Sequence, residues 1–120
     1  MSSPSWMDGV NVAITVCDAR GTIVEMNQRS AEVFAKDGGR VLIGKSLFDC
    51  HNATSQAIIN DLLFFGKTHC YTIEKDGRKK MIYQGPWFDQ GRLAGLVELT
   101  FDIPFDLPHF LRPNSAAANS

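Results

Sequence analysis

Two tight turns lying close together constrain this chain more than any other feature. Asp76-Gly77 and Gln90-Gly91 each separate runs in which apolar and polar residues alternate, and Asp-Gly is among the strongest short signals for a two-residue hairpin. Thr68 to Glu74 sets Tyr71 and Ile73 on one side and Cys70 and Thr72 on the other. Lys79 to Trp87 is the returning strand, with Pro86 near its end, and Leu93 to Phe101 is a last long strand. Connections this short make the three strands antiparallel neighbours. In the last strand Leu93, Val97, Leu99 and Phe101 share one face, while Glu98, Thr100 and Asp102 share the other.

A second hairpin lies near the start. Val12, Ile14 and Val16 alternate with Ala13, Thr15 and Cys17, the period of a strand. Asp18-Ala19-Arg20-Gly21 is a turn, and Thr22 to Met26 returns from it. A lone hairpin is marginal, so this one needs a partner among the later strands. Asn27 caps a short helix in which Ala31 and Phe34 face inward, and Asp37-Gly38-Gly39 breaks it. Residues 41–66 then join the two strand groups. Here a helix is expected after Asp49-Cys50-His51-Asn52, capped by Thr54 or Ser55 and ended by Gly66. Ile58, Ile59, Leu62, Leu63 and Phe65 fall on one broad face of it. Strands, helices, then strands again give an α+β fold with the helices on one face of an antiparallel sheet.

Composition narrows the function classes. The 120 residues suggest one domain, and a net charge of −1 excludes the basic footprint of a nucleic-acid binder. Arg78-Lys79-Lys80, the one basic cluster, reads as a solvated hairpin end. No apolar run approaches the roughly 20 residues of a membrane span, and MSSPSWMDG lacks the regions of a signal peptide. A cytoplasmic location is the expectation. Three cysteines with no framework spacing argue against structural disulfides.

The local sequence resembles the PAS domain. Val16 through Asn27, with its D-x-x-G turn and a strand ending in Asn, is similar to the opening PAS hairpin. Ser30-Ala31-Glu32 resembles the start of the first PAS helix, and Ile43-Gly44-Lys45-Ser46 the hydrophobic-Gly-[RK] step before the long helix. Gly95-Leu96-Val97-Glu98 through Phe101-Asp102-Ile103 resembles the last strand. Asp49-Cys50-His51-Asn52 is closest to a PAS subgroup carrying Cys-His-Pro, which in bacteria and archaea often accompanies hemerythrin-like domains; Asn52 stands where that subgroup has Pro. The resemblance implies a sensory or interaction module for signal transduction, and with no catalytic constellation in the sequence it is expected to be non-enzymatic. Its fold would be a five-stranded antiparallel sheet with helices on one face and a pocket between them. It divides the chain into a lead-in (1–8), a PAS domain (9–103) and a Pro-containing, disordered tail (104–120). PAS domains commonly end in Asp-Ile-Thr and continue as a helix; Asp102-Ile103-Pro104 does not, because proline cannot extend one.

The candidate pocket walls are Met26, Phe34, Leu47, Phe48, His51, Ile58, Leu62, Tyr71, Met81 and Tyr83, with Trp87 beside them. The expected ligand is a small molecule or cofactor; a protein-interaction module with no ligand is the alternative. His51 reads either as an axial haem ligand or polar pocket contact, or as a capping histidine. Haem-binding PAS domains usually carry their histidine within the long helix, and His51 precedes it. The flavin photoreceptors of the family expect Asn-Cys-Arg-Phe here, which Leu47-Phe48-Asp49-Cys50-His51 does not match. Cys50 and His51 are adjacent, so their side chains diverge and no catalytic dyad forms. A zinc site shared by Cys50-His51 and His69-Cys70 fails because a helix of about 11 residues holds them ~16 Å apart. His109 is expected to be exposed. A homodimer is expected through the outer sheet face, with Ala94, Leu96, Glu98 and Thr100 as its row on the last strand and Trp6 and Met7 folded over it or over a partner's; the alternative is a monomer in which residues 1–8 cap their own sheet.

Overall fold

The computed structural model describes residues 4–50 and 52–115. A short helix α1 (Ser5–Gly9) leads into strands β1 (Ala13–Asp18) and β2 (Ile23–Met26) and helix α2 (Gln28–Val33). Three single 3-10 turns follow, at Ala35–Asp37, Gly39–Leu42 and Leu47–Cys50. Helix α3 (Ala53–Phe65) and strands β3 (His69–Lys75), β4 (Arg78–Asp89) and β5 (Arg92–Ile103) complete the fold. All five strands form one antiparallel sheet in the order β2-β1-β5-β4-β3. The first hairpin therefore finds its partner in the last strand, with β1 lying along β5 from Ala13 opposite Thr100 to Asp18 opposite Gly95.

The turn chemistry expected from sequence is present. Asp18 Oδ1 accepts from the backbone N–H of Arg20 (2.9 Å) and of Thr22 (3.0 Å), which shapes the first hairpin turn. Gly21 completes that turn at φ +85, and a Cβ there would also press on the Phe48 ring at 2.7 Å. Asp76-Gly77 and Gln90-Gly91 both have two successive residues at positive φ, the geometry that lets strands reverse in two residues.

Asn27 is the knot of the N-terminal half. It is 2% exposed, and its side chain makes four hydrogen bonds. Its Oδ1 accepts from Ile14 N and Ser30 N, each at 2.9 Å. Its Nδ2 donates to Met7 O (2.6 Å) and Val12 O (2.8 Å). One amide thus caps α2 as expected and also fastens α1 to β1. Asp8 adds to the tie, accepting from Gln28 N at 2.8 Å and pairing with Arg40 at 3.1 Å. Helix α1 is accordingly held beside the start of α2, and Trp6 stays 61% exposed.

Asn52, not Thr54 or Ser55, caps α3: its side chain accepts from Ser55 N at 2.9 Å. Asparagine at this position offers its oxygen at the right reach, which leaves Thr54 and Ser55 inside the first turn. Gly66 ends the helix in the left-handed conformation, as expected. Ile59, Leu62 and Leu63 pack onto Cys17 and Leu96, with Leu47 and Phe48 at the side. Ile23, Met26 and Leu42 form a second cluster with Phe34 and Leu47. Ile58 and Phe65, placed by periodicity on the buried face, are 40% and 61% exposed. The buried stripe is narrower than their spacing suggested: its buried residues are Ile59, Leu62 and Leu63. Residues 104–115 form no helix or strand.

Candidate functional site

The register of the sheet decides which side chains face the helices. Cys17 and Leu96 lie opposite one another and both touch α3, so every residue in step with them is on the helix side. Directly opposed residues share a face, and alternate residues along a strand do too. The helix side is thus Thr15 and Cys17 on β1, Leu96, Glu98, Thr100 and Asp102 on β5, Lys80, Ile82 and Gln84 on β4, and His69, Tyr71 and Ile73 on β3. The outer side carries Ile14, Val16, Val97, Leu99, Phe101, Met81 and Tyr83.

This reverses the expected faces of β5. The row of Leu96, Glu98 and Thr100 faces the helices, and the apolar row of Val97, Leu99 and Phe101 faces away. Met81 and Tyr83 are consequently not pocket walls; Cys70 donates to the Met81 sulfur at 3.4 Å on that same outer side. The cause is that the sheet has two apolar stretches on opposite faces. The clean alternation of β5 marks one of them, and the helices take the other.

A band of polar groups crosses the helix side. Thr15 and Ser30 share a hydrogen bond of 2.6 Å, tying β1 to α2. Glu98 lies opposite Thr15 on one flank and opposite Gln84 on the other. Gln84 is 6% exposed, and its Nε2 donates to Glu98 Oε2 at 2.8 Å. Only the amide nitrogen can donate to a carboxylate, so the amide oxygen turns to His69 Nδ1, 3.4 Å away. That leaves the proton of a neutral His69 on Nδ1 and the lone pair on Nε2. The His69 ring lies against the Tyr71 ring, with centroids 4.6 Å apart and planes inclined by 34°.

The electrostatics follow from this placement. Burial pushes the Tyr71 phenol pKa up, and the Glu98 carboxylate raises it further. Burial also raises the Cys17 thiol pKa; a backbone hydrogen bond with Leu96 opposes this, and Asp18 and Glu98 add to it. Glu98 itself takes part in none of the ion pairs among the described residues. The cations of this face go elsewhere: Asp102 holds Arg78 at 3.1 Å and Lys80 at 4.0 Å.

Two clefts open on the domain, and neither is lined by a residue of the band. One of about 470 Å³ lies between α2 and the β3–β4 hairpin, lined by Arg29, Glu32, Val33, Lys75, Asp76, Arg78 and Lys80. The other, about 400 Å³, is bounded by Ala19, Arg20, Phe48, Asn60, Leu63 and Phe64. The basic residues at the hairpin end therefore line a cleft, although Glu32, Asp76 and Asp102 accompany them.

Of the residues picked out by sequence, Met26, Phe34 and Leu47 come together, as do Leu47, Phe48 and Leu62. Tyr71 faces the helix side apart from both clusters. His51 lies outside the described residues, and with it the haem, dyad and Cys-His-Pro readings. His69 and Cys70 point to opposite faces of β3, which parts half of the zinc set the sequence had set aside. Among the described residues no group of three or more His, Cys, Asp or Glu could hold a metal ion, and no helix is long and apolar enough to cross a membrane. His109 is exposed, as expected. Gln84 was not singled out by sequence, Glu98 only in the outer dimer row and His69 only in the zinc set. Their one signal in the sequence is a glutamine in mid-strand, two residues from an apolar neighbour.

A family model described as PAS fold matches residues 7–63, from α1 to the last full turn of α3. No curated protein matches the chain. Among solved structures, a C-terminal domain from Streptococcus mutans superposes with a TM-score of 0.67 at 16% identity, covering 82% of this chain and 80% of that one. The PAS domain of Bordetella pertussis BvgS gives a TM-score of 0.60 at 18% identity, covering 85% and 84%. The Aer2 receptor from Vibrio cholerae, a dual PAS-heme oxygen sensor, gives 0.58 at 18% identity, covering 80% and 97%. At these identities the likeness is one of fold.

Proposed function

We propose that this chain, which carries the PAS fold, is a non-enzymatic sensory module. It binds a small polar molecule on the helix side of its sheet and pairs with a second copy through the outer side. The observation that carries the reading is the polar band of Thr15, Glu98, Gln84 and His69. A face that only had to pack helices gains nothing from a carboxylate, since withdrawing one from water costs free energy unless it is paired. The apolar outer row supports the pairing: Val16, Val97, Leu99, Phe101, Met81 and Tyr83 lie on the side of the sheet away from the helices and stay partly exposed. Such a surface is more often an interface than bare surface.

One strand serves both faces. β5 sets Glu98 inward between Val97 and Leu99, which point outward, so a shift of the strand on binding moves the dimer surface directly. The test is native mass spectrometry of the purified chain, with a thermal-shift screen of a metabolite extract. Retained small-molecule mass or a fraction that raises the melting temperature is the expected result. A chain that carries nothing, and that no fraction stabilises, would refute ligand sensing and leave an interaction module.

A further inference from the structure

We infer that the ligand of this site is a small organic cation: an ammonium or guanidinium head received by Glu98, on a body that lies against the His69–Tyr71 ring pair. The inference rests on the ligand-binding reading above and names the class of molecule.

The charge balance of the helix side points to it. Glu98 has one oxygen engaged by Gln84 Nε2 at 2.8 Å. No fixed cation pairs with it among the described residues, because Arg78 and Lys80 are drawn to Asp102. A half-buried carboxylate in that position favours whatever positive charge reaches it. The same negative charge already registers on Tyr71 and on Cys17, on the strands to either side of it.

The hydrogen-bond polarity points the same way. Gln84 spends its donor on Glu98 and turns its oxygen to His69 Nδ1, so neutral His69 presents an acceptor at Nε2. A carboxylate oxygen and an imidazole lone pair both seek donors, and an ammonium or guanidinium supplies several. Tyr71 adds a π face, which attracts a cation, and the tilted ring pair, 4.6 Å between centroids, gives an aromatic wall for the rest of the molecule. An anion would meet Glu98 with no counter-charge.

Three probes that share a ring and differ in charge test this on the full chain: benzylamine, benzyl alcohol and benzoate, titrated by amide NMR. Benzylamine is expected to shift the amides of His69, Tyr71 and Glu98 and to bind at least about tenfold more tightly than benzyl alcohol, with benzoate weakest. Glu98→Gln keeps the side-chain volume and an acceptor for Gln84, and it should erase the preference while circular dichroism stays unchanged. Benzoate binding as tightly as benzylamine, or a preference that survives in Glu98→Gln, overturns the cation assignment and leaves the sensory reading standing. If none of the three shifts these amides the assignment also falls, and the sensory reading falls with it only if the metabolite screen is blank too.

Discussion

Replacing Asn27 by alanine should unfold this domain more readily than any ordinary polar-to-alanine change. Its side chain closes four hydrogen bonds at 2.6–2.9 Å, to Ile14 N, Ser30 N, Met7 O and Val12 O. Each such bond contributes about 1 kcal/mol net, and leaving a buried partner unsatisfied costs up to about 3. Losing all four therefore costs about 4 kcal/mol, a large share of the roughly 5–15 kcal/mol that holds a small domain folded. Equilibrium urea unfolding followed by circular dichroism measures it; the midpoint should fall by about 2 M at an unchanged slope. Asn27→Ser separates the two jobs of the residue. Serine is a good N-cap, so it should keep the bond to Ser30 N and recover about 1 kcal/mol, no more. If Asn27→Ala costs under about 1 kcal/mol, or if serine restores full stability, Asn27 is only a helix cap and the tie between α1, β1 and α2 carries no weight.

Leu99→Glu, on the outer face, should leave the melting temperature nearly unchanged yet turn a dimer into a monomer in sedimentation at micromolar concentration; a wild-type monomer there would remove the interface. The Cys17 thiol is buried with its pKa raised, so in the native state it should resist maleimide while exposed Cys70 is labelled, as peptide mapping by mass spectrometry will read; equal labelling would contradict the burial. The raised Tyr71 pKa means the folded state holds the phenol proton at a pH where the unfolded chain has lost it. Stability is thus full below the ordinary phenol range, near pH 10, and falls as the pH rises through it. Phenolate absorbance should also show Tyr71 titrating at lower pH in Glu98→Gln than in the wild type, and an unmoved midpoint would mean Glu98 does not reach it.

Most of the fold was legible in the sequence because its punctuation is local. Asp18, Gly21, Asp76-Gly77 and Gly66 each act within a few residues, through positive φ or a side-chain bond to the nearby backbone. These fix the two hairpins and the helix end without knowledge of the rest. Helix capping was legible in kind only: Asn52 outcompetes Thr54 and Ser55 by its position just before the helix, which depends on where the preceding 3-10 turn ends. The facing of β5 was not legible at all. Alternation says that Val97, Leu99 and Phe101 share a side and that Glu98 and Thr100 share the other. It does not say which side the helices choose. The usual rule gives helices the apolar side, and it fails here because the covered side carries polar groups. The same inversion hid Glu98 and Gln84, which read as solvent-facing, and it promoted Met81 and Tyr83 to a pocket they do not line.

That inversion bears on how a signal could leave the domain. After Ile103 comes Pro104, and residues 104–115 form no helix, so a helical continuation of β5 is not the route within the described chain. The sheet itself is better placed. β5 lies between β1 and β4, and the three are pinned where Gly95 sits: the Trp87 indole Nε1 donates across to Cys17 O at 3.0 Å, and a Cβ on Gly95 would run into that same carbonyl. With one end of β5 locked to both neighbours, a ligand drawing on Glu98 would be expressed beyond the pin, toward Leu99 and Phe101. Those are the side chains of the outer apolar row. On the proposed reading, then, binding on one face and pairing on the other are linked by a single strand, and the pin at Gly95 sets which end of it moves.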